Sequence, residues 1–112
     1  MHIFVQYYKH YYMKRELLPS QKRLLKTLGE QIRYARLRRD LTTVQIAERA
    51  GIARTTLVKI EKGDEGVSIG QYFRVLIALG LGNDIILIAH DDELGRKLQD
   101  AKLEVKERAS KK

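Results

Sequence analysis

The sequence predicts an all-α domain carrying one late strand, and three observations predict it. Apolar residues recur at three- and four-residue spacing through four successive stretches between Leu24 and Leu79. Glycines stand where three of those stretches should stop, at Gly51, Gly63 and Gly80. One short run, Ile85-Ile86-Leu87-Ile88-Ala89, is continuously apolar, rich in β-branched residues and too short for a helix of its own.

Taken in order, Pro19-Ser20 is a start signal for a first helix, with Ser20 as its expected N-cap. Leu24, Leu25, Leu28, Ile32 and Ala35 then share one helical face, and Asp40-Leu41 ends the helix. Thr42 is the next expected N-cap, and a short second helix carries Val44, Ile46, Ala47 and Ala50. Gly51 supplies the turn, because glycine accepts positive φ without strain. A third helix follows and stops at Gly63, with Leu57 and Ile60 as its apolar residues. Asp64-Glu65-Gly66 reads as a loop, and Ser68 caps a fourth helix over 69–79.

The run 85–89 reads as a strand buried on both faces. No second convincing strand exists to pair with it, and a lone strand leaves its own backbone groups unsatisfied. The expected solution is an antiparallel ribbon between Ile85, Ile86, Leu87, Ile88 and Ala89 of two copies, which makes the protein a homodimer. The alternative is that the run merely extends the packing of the fourth helix. Asp91-Asp92-Glu93 suits a fifth helix start, with Leu94, Leu98 and Ala101 on one face. The resulting organisation is an N-terminal extension over 1–19, a helical domain over 20–82, the dimerising strand and short amphipathic helix over 83–103, and a charged, disordered tail over 104–112.

Residues 1–12 hold five of the eight aromatic residues in no regular period. Met13 is therefore a plausible biological start, the rival being an arm that binds something. The N-terminus lacks the smooth apolar core of a signal peptide, and no run approaches the roughly 18 apolar residues of a membrane span. The absence of cysteine excludes disulfides and thiolate metal sites. A cytoplasmic location, associated with the nucleoid, is the expectation.

The net charge is +8, and its distribution says more than its size. Residues 14–63 hold thirteen Lys or Arg against five Asp or Glu, whereas residues 64–112 hold eight against nine. A basic surface concentrated in one half favours a polyanion, nucleic acid before an anionic membrane. Charge alone leaves a merely solvated cationic face equally open. Catalysis is not expected. His2, His10 and His90 show no ligand spacing, the acids at 91–93 suit a helix start, and no nucleophile–base set or phosphate-cradling loop appears. Neither a metal nor a cofactor is implied.

Two short helices joined by a glycine turn form a helix-turn-helix unit, whose second helix enters the DNA major groove by its N-terminal end. Small residues there let the backbone approach the bases. Arg54, Thr55 and Lys59 project outward, while Leu57 and Ile60 hold the helix to the core.

The segment Arg39 to Gly63 resembles the helix-turn-helix of the XRE/Cro/phage-repressor family. Its Leu41-Thr42 start, Ile46-Ala47, Ala50-Gly51-Ile52 and Ile60-Glu61-Lys62-Gly63 stand in register, and the resemblance covers roughly residues 25–80. It implies a phage-repressor-like fold of five helices. It also implies base reading by Arg54, Thr55 and Lys59, with Ala53 and Val58 close enough for thymine-methyl contact. Thr42, Thr43 and Lys62 match phosphate-contacting positions. Arg36 and Glu61 match a structural ion pair between the first and third helices. Arg33, Arg38 and Arg39 are further phosphate candidates, with a solvated role equally open for each. Two positions depart from the family pattern. Thr43 stands where many members have glutamine, and Ala53 where many have a capping Ser or Thr, a loss that typically costs about 1 kcal/mol.

Residues 67–81 together with Asp92-Glu93-Leu94-Gly95-Arg96-Lys97-Leu98-Gln99-Asp100 resemble HipB-type antitoxins. That resemblance implies a dimeric repressor that binds a palindromic operator in double-stranded DNA, autoregulates its operon and partners a HipA-type kinase toxin. The alternatives are a stand-alone repressor of the same family, or an adaptor that kept the fold without reading DNA.

Overall fold

A computed structural model describes residues 16–110. The expectations about residues 1–12 and a start at Met13 lie outside the described residues. Six helices are described: α1 (Pro19–Arg38), α2 (Thr43–Ala50), α3 (Arg54–Glu61), α4 (Ile69–Ala78), α5 (Asp84–Leu87) and α6 (Glu93–Ser110). The chain divides into two compact units, one ending at Gly82 and the other beginning at Asn83.

Helix α1 starts two residues earlier than the Ser20 cap requires. Leu18 is the N-cap and Pro19 opens the helix, where a missing N–H costs nothing and the fixed φ already suits the turn. The Leu18 N–H is taken instead by Gln21 Oε1 at 3.0 Å. Ser68 caps α4 by accepting from the Gln71 N–H at 3.3 Å.

The first unit is organised by α3, which packs against α1 and α2, while α2 also packs against α4. Its core comprises Ile32 and Ala35 of α1, Ile46, Ala47 and Ala50 of α2, Leu57 and Ile60 of α3, and Tyr72, Val75, Leu76 and Leu79 from α4 and its end. Ile46, Leu57, Ile60 and Val75 are sealed from solvent, and each such burial contributes roughly 1.5–3 kcal/mol. Tyr72 is buried with its phenol donating to the Asp64 carbonyl at 2.7 Å, which ties α4 to the loop after α3. Burial, with the nearby Asp64 charge, raises the Tyr72 pKa above its ordinary value.

Close approach of α1 to the end of α3 depends on Gly29, which is buried. A Cβ added there would lie 2.6 Å from the Ile60 carbonyl oxygen and 2.7 Å from the Gly63 nitrogen. Backbone meets backbone at this crossing, so no side chain fits at position 29.

In the second unit the expected strand is replaced. Residues 84–87 form the single turn α5, and no strand occurs among the described residues. The Ile88 N–H reaches back to the Ile85 carbonyl at 3.4 Å and the His90 N–H to the Leu87 carbonyl at 3.1 Å. Ala89 sits at φ 63°, a left-handed conformation that no strand accommodates. The physical reason is the one that made a lone strand awkward. Within the chain no second strand lies among the described residues, and Ile85, Ile86, Leu87, Ile88 and Ala89 satisfy backbone groups locally by curling. Ile86, Leu87 and Ile88 remain exposed. The charged tail also differs from expectation. Helix α6 continues past Ala101 to Ser110, because residues 102–108 (Lys, Leu, Glu, Val, Lys, Glu, Arg) are mostly strong helix formers with no glycine or proline to interrupt them.

Candidate nucleic-acid interface

The geometry of α2, its turn and α3 follows from local chemistry. Thr42 caps α2 with its hydroxyl oxygen accepting from the Gln45 N–H at 3.1 Å, while Gln45 Oε1 accepts from the Thr42 N–H at 2.9 Å. This reciprocal capping box satisfies two amide donors that the helix start would leave open. Gln45 escaped the reading of the sequence, although a threonine followed three residues later by glutamine is a recognisable signature of it. At the other end Gly51 takes φ 69°, and the Ile52 N–H returns to the Ala47 carbonyl at 3.0 Å. That closure turns the chain directly into α3.

Ala53 is the N-cap of α3, in extended conformation and with no side chain able to cap. Among the described residues the Arg54 and Thr55 amides meet no acceptor. The first turn of α3 therefore presents bare N–H groups and the positive end of its dipole, beside the Arg54 guanidinium. Arg54, Thr55, Val58 and Lys59 together line one shallow open depression of about 300 Å³. Arg54, Thr55 and Lys59 are exposed and Val58 is half-buried, so the opposite side of the same helix carries the buried Leu57 and Ile60.

One contact in this region was not legible from spacing. Arg54 Nε donates to Thr43 Oγ1 at 3.2 Å, linking the first residue of α3 to the first residue of α2. Held through Nε, the guanidinium keeps its two terminal nitrogens available as a fork. Thr43, half-buried, thus touches Arg54 in the free protein.

Arg36 and Glu61 form a bidentate ion pair, with Nε to Oε2 at 2.8 Å and Nη2 to Oε1 at 2.9 Å. The remaining Arg36 nitrogen donates to the Leu41 carbonyl at 2.9 Å. Both side chains are buried, and one guanidinium thereby joins α1, α3 and the α1–α2 connection. Hydrogen bonding to Glu61 raises the Arg36 pKa above its ordinary value, against the opposing effect of burial.

The other basic candidates are distributed. Arg33 and Arg38 are exposed on α1. Arg39 caps the end of α1 and folds back, its Nη1 donating to the Ala35 carbonyl at 2.7 Å. Lys62 is exposed at the C-cap of α3. Among the described residues no group of three His, Cys, Asp or Glu is placed to hold a metal ion. No helix there is long and apolar enough to cross a membrane.

Over 66 residues, 59% of this chain and the full length of the relative, the sequence is 32% identical to an uncharacterized HTH-type transcriptional regulator from Methanocaldococcus jannaschii. Residues 27–84 match the family described as a helix-turn-helix domain, from within α1 to the first residue of α5. With α2, the Gly51 turn and α3 arranged as above, the chain belongs to the helix-turn-helix domain family.

Proposed function

We propose that this protein is a sequence-specific DNA-binding transcriptional repressor of the XRE/Cro type, acting as a dimer on a palindromic operator. The observation that carries the reading is the gathering of Arg54, Thr55, Val58 and Lys59 around one open depression at the uncapped start of α3. An arginine fork suits guanine O6 and N7, and Val58 offers an apolar surface to a thymine methyl. Ala53, carrying only a methyl group at the cap, leaves room for close backbone approach. Thr42, Thr43, Lys62, Arg33, Arg38 and Arg39 are proposed to meet phosphates. For Thr42 the hydroxyl is the group concerned, since its N–H is already engaged by Gln45. Arg39 reaches a phosphate only by releasing the Ala35 carbonyl.

The regulator name of the archaeal relative and the positive excess over residues 14–63 support the same reading. Repression follows from occupying promoter DNA, with the two copies of α3 in successive major grooves about 34 Å apart. Exposed Ile86, Leu87 and Ile88 support a self-contact within residues 83–103. The narrower antitoxin role, with a HipA-type kinase as partner, is supported only by the resemblance of residues 67–100. Co-purification with a kinase encoded beside it tests that role.

In vitro selection of binding sites from random duplexes, followed by salt titration, tests the main proposal. The expected result is a two-fold symmetric site whose affinity falls steeply with salt as phosphate contacts release counterions. Indifference to every duplex at low salt, with salt-insensitive binding to a protein, would establish the adaptor instead.

A further inference from the structure

Helix α6 is long and, among the described residues, exposed. It runs for 18 residues, and its side chains from Arg96 to Ala109 are all exposed. Helices in proteins draw most of their stability from packing an amphipathic face rather than from propensity. Four of its apolar residues are nevertheless patterned, with Leu103 on the opposite side. Leu94, Leu98, Ala101 and Val105 follow one another at intervals of four, three and four. At about 100° per residue they fall within a stripe about 60° wide, narrower than the face of an ordinary surface helix and matching a coiled-coil seam. Leu94, Leu98 and Val105 are 70%, 58% and 66% exposed. Arg108, at the next seam position, ends the apolar stripe with a charge.

The charges beside the seam say what covers it. Lys97 and Glu104 flank it on one side, Gly95 and Lys102 on the other. Neither Lys97 nor Glu104 has a side-chain partner among the described residues. If two copies ran parallel, Lys97 would face Lys102 of the second copy, an unfavourable pair. If they run antiparallel, Leu94 faces Val105 and Leu98 faces Ala101, large against small. Lys97 then faces Glu104 of the second copy, and the two-fold axis repeats that attractive pair. Lys102 falls opposite Gly95, where no charge opposes it. The helix dipoles also align favourably only in the antiparallel sense.

We propose that α6 pairs with α6 of a second copy as an antiparallel two-helix coiled coil centred between Leu98 and Ala101, selected by reciprocal Lys97–Glu104 contacts. The pairing extends the dimeric reading above by assigning it a contact, an orientation and the residues that choose them.

Sedimentation equilibrium on the full chain tests it with charge reversals that leave the seam untouched. Lys97→Glu alone, and Glu104→Lys alone, should each weaken self-association about tenfold, because two attractive contacts become two repulsive ones. An equimolar mixture of the two single variants should recover the original affinity, since in the mixed dimer each reversed residue meets its opposite. Loss of helix stability within one chain cannot be rescued by mixing, so recovery identifies the contact. Leu103→Gln, on the opposite side of α6, should change nothing. Tightening by Lys97→Glu would mean a parallel pair and would overturn the proposal. A dimer unaffected by either reversal would also overturn it, while leaving the dimeric repressor intact.

Discussion

The unit ending at Gly82 and the unit beginning at Asn83 are both helical, yet they dispose of apolar side chains in opposite ways. In the first, among the described residues, eleven apolar residues of α1 to α4 and the end of α4 converge on one core while Leu24, Leu37, Val44, Ile69 and Ile77 stay outside it, and even a guanidinium and a carboxylate are drawn inside as a matched pair. In the second, Ile86, Leu87, Ile88, Leu94, Leu98, Leu103 and Val105 all remain exposed. Helical pattern by itself therefore does not distinguish a helix that completes its own domain from one made to meet another surface. The distinction lies in whether neighbouring elements return to cover the apolar stripe.

Several substitutions would sharpen or break that comparison. The largest effect is expected at Glu61→Ala, which leaves the Arg36 charge buried without its partner and should cost about 3–5 kcal/mol in urea unfolding. A smaller loss there would mean that the pair is more solvated than its exposure indicates. Gly29→Ala should cost about 1–3 kcal/mol by forcing α1 away from the end of α3. Arg54→Ala should leave folding unchanged but lower affinity for the selected site by about 1–3 kcal/mol, with random DNA much less affected. Equal loss on specific and random duplexes would remove Arg54 from base reading. Arg38→Ala should weaken all sequences alike and reduce the salt slope by about one. At the small end, Leu103→Gln in α6 should alter unfolding of the chain by less than about 0.5 kcal/mol, as expected of an exposed position.

Within the first unit much was legible because the signals are local. Leu57 and Ile60 share a helical spacing with their neighbours, Thr42 is a capping residue, and Gly51 stands where positive φ is needed. Those features depend on a few adjacent residues, and adjacent residues are what a sequence displays. The roles of Gly29 and of the Thr43–Arg54 contact were invisible for the converse reason. Each exists only because two segments distant in sequence approach within contact distance. The misreading of residues 85–89 has the same origin. An apolar, β-branched run suits strand and buried helix alike, and backbone satisfaction decides between them. With no second strand among the described residues of the chain itself, the run curls.

The sequence by itself determined the caps at Thr42 and Ser68, the stops near Gly51, Gly63 and Gly80, which half carries the positive charge, and that residues 42–63 form two helices about a glycine turn. Capping, periodicity and charge are properties of neighbouring residues, and they survive whatever the rest of the chain does. Only tertiary structure decided that the Arg36–Glu61 pair is buried, that Gly29 must be bare, and that Thr43 touches Arg54. Those outcomes depend on which surfaces meet in space, and the free energy of burial is settled by that meeting rather than by order along the chain.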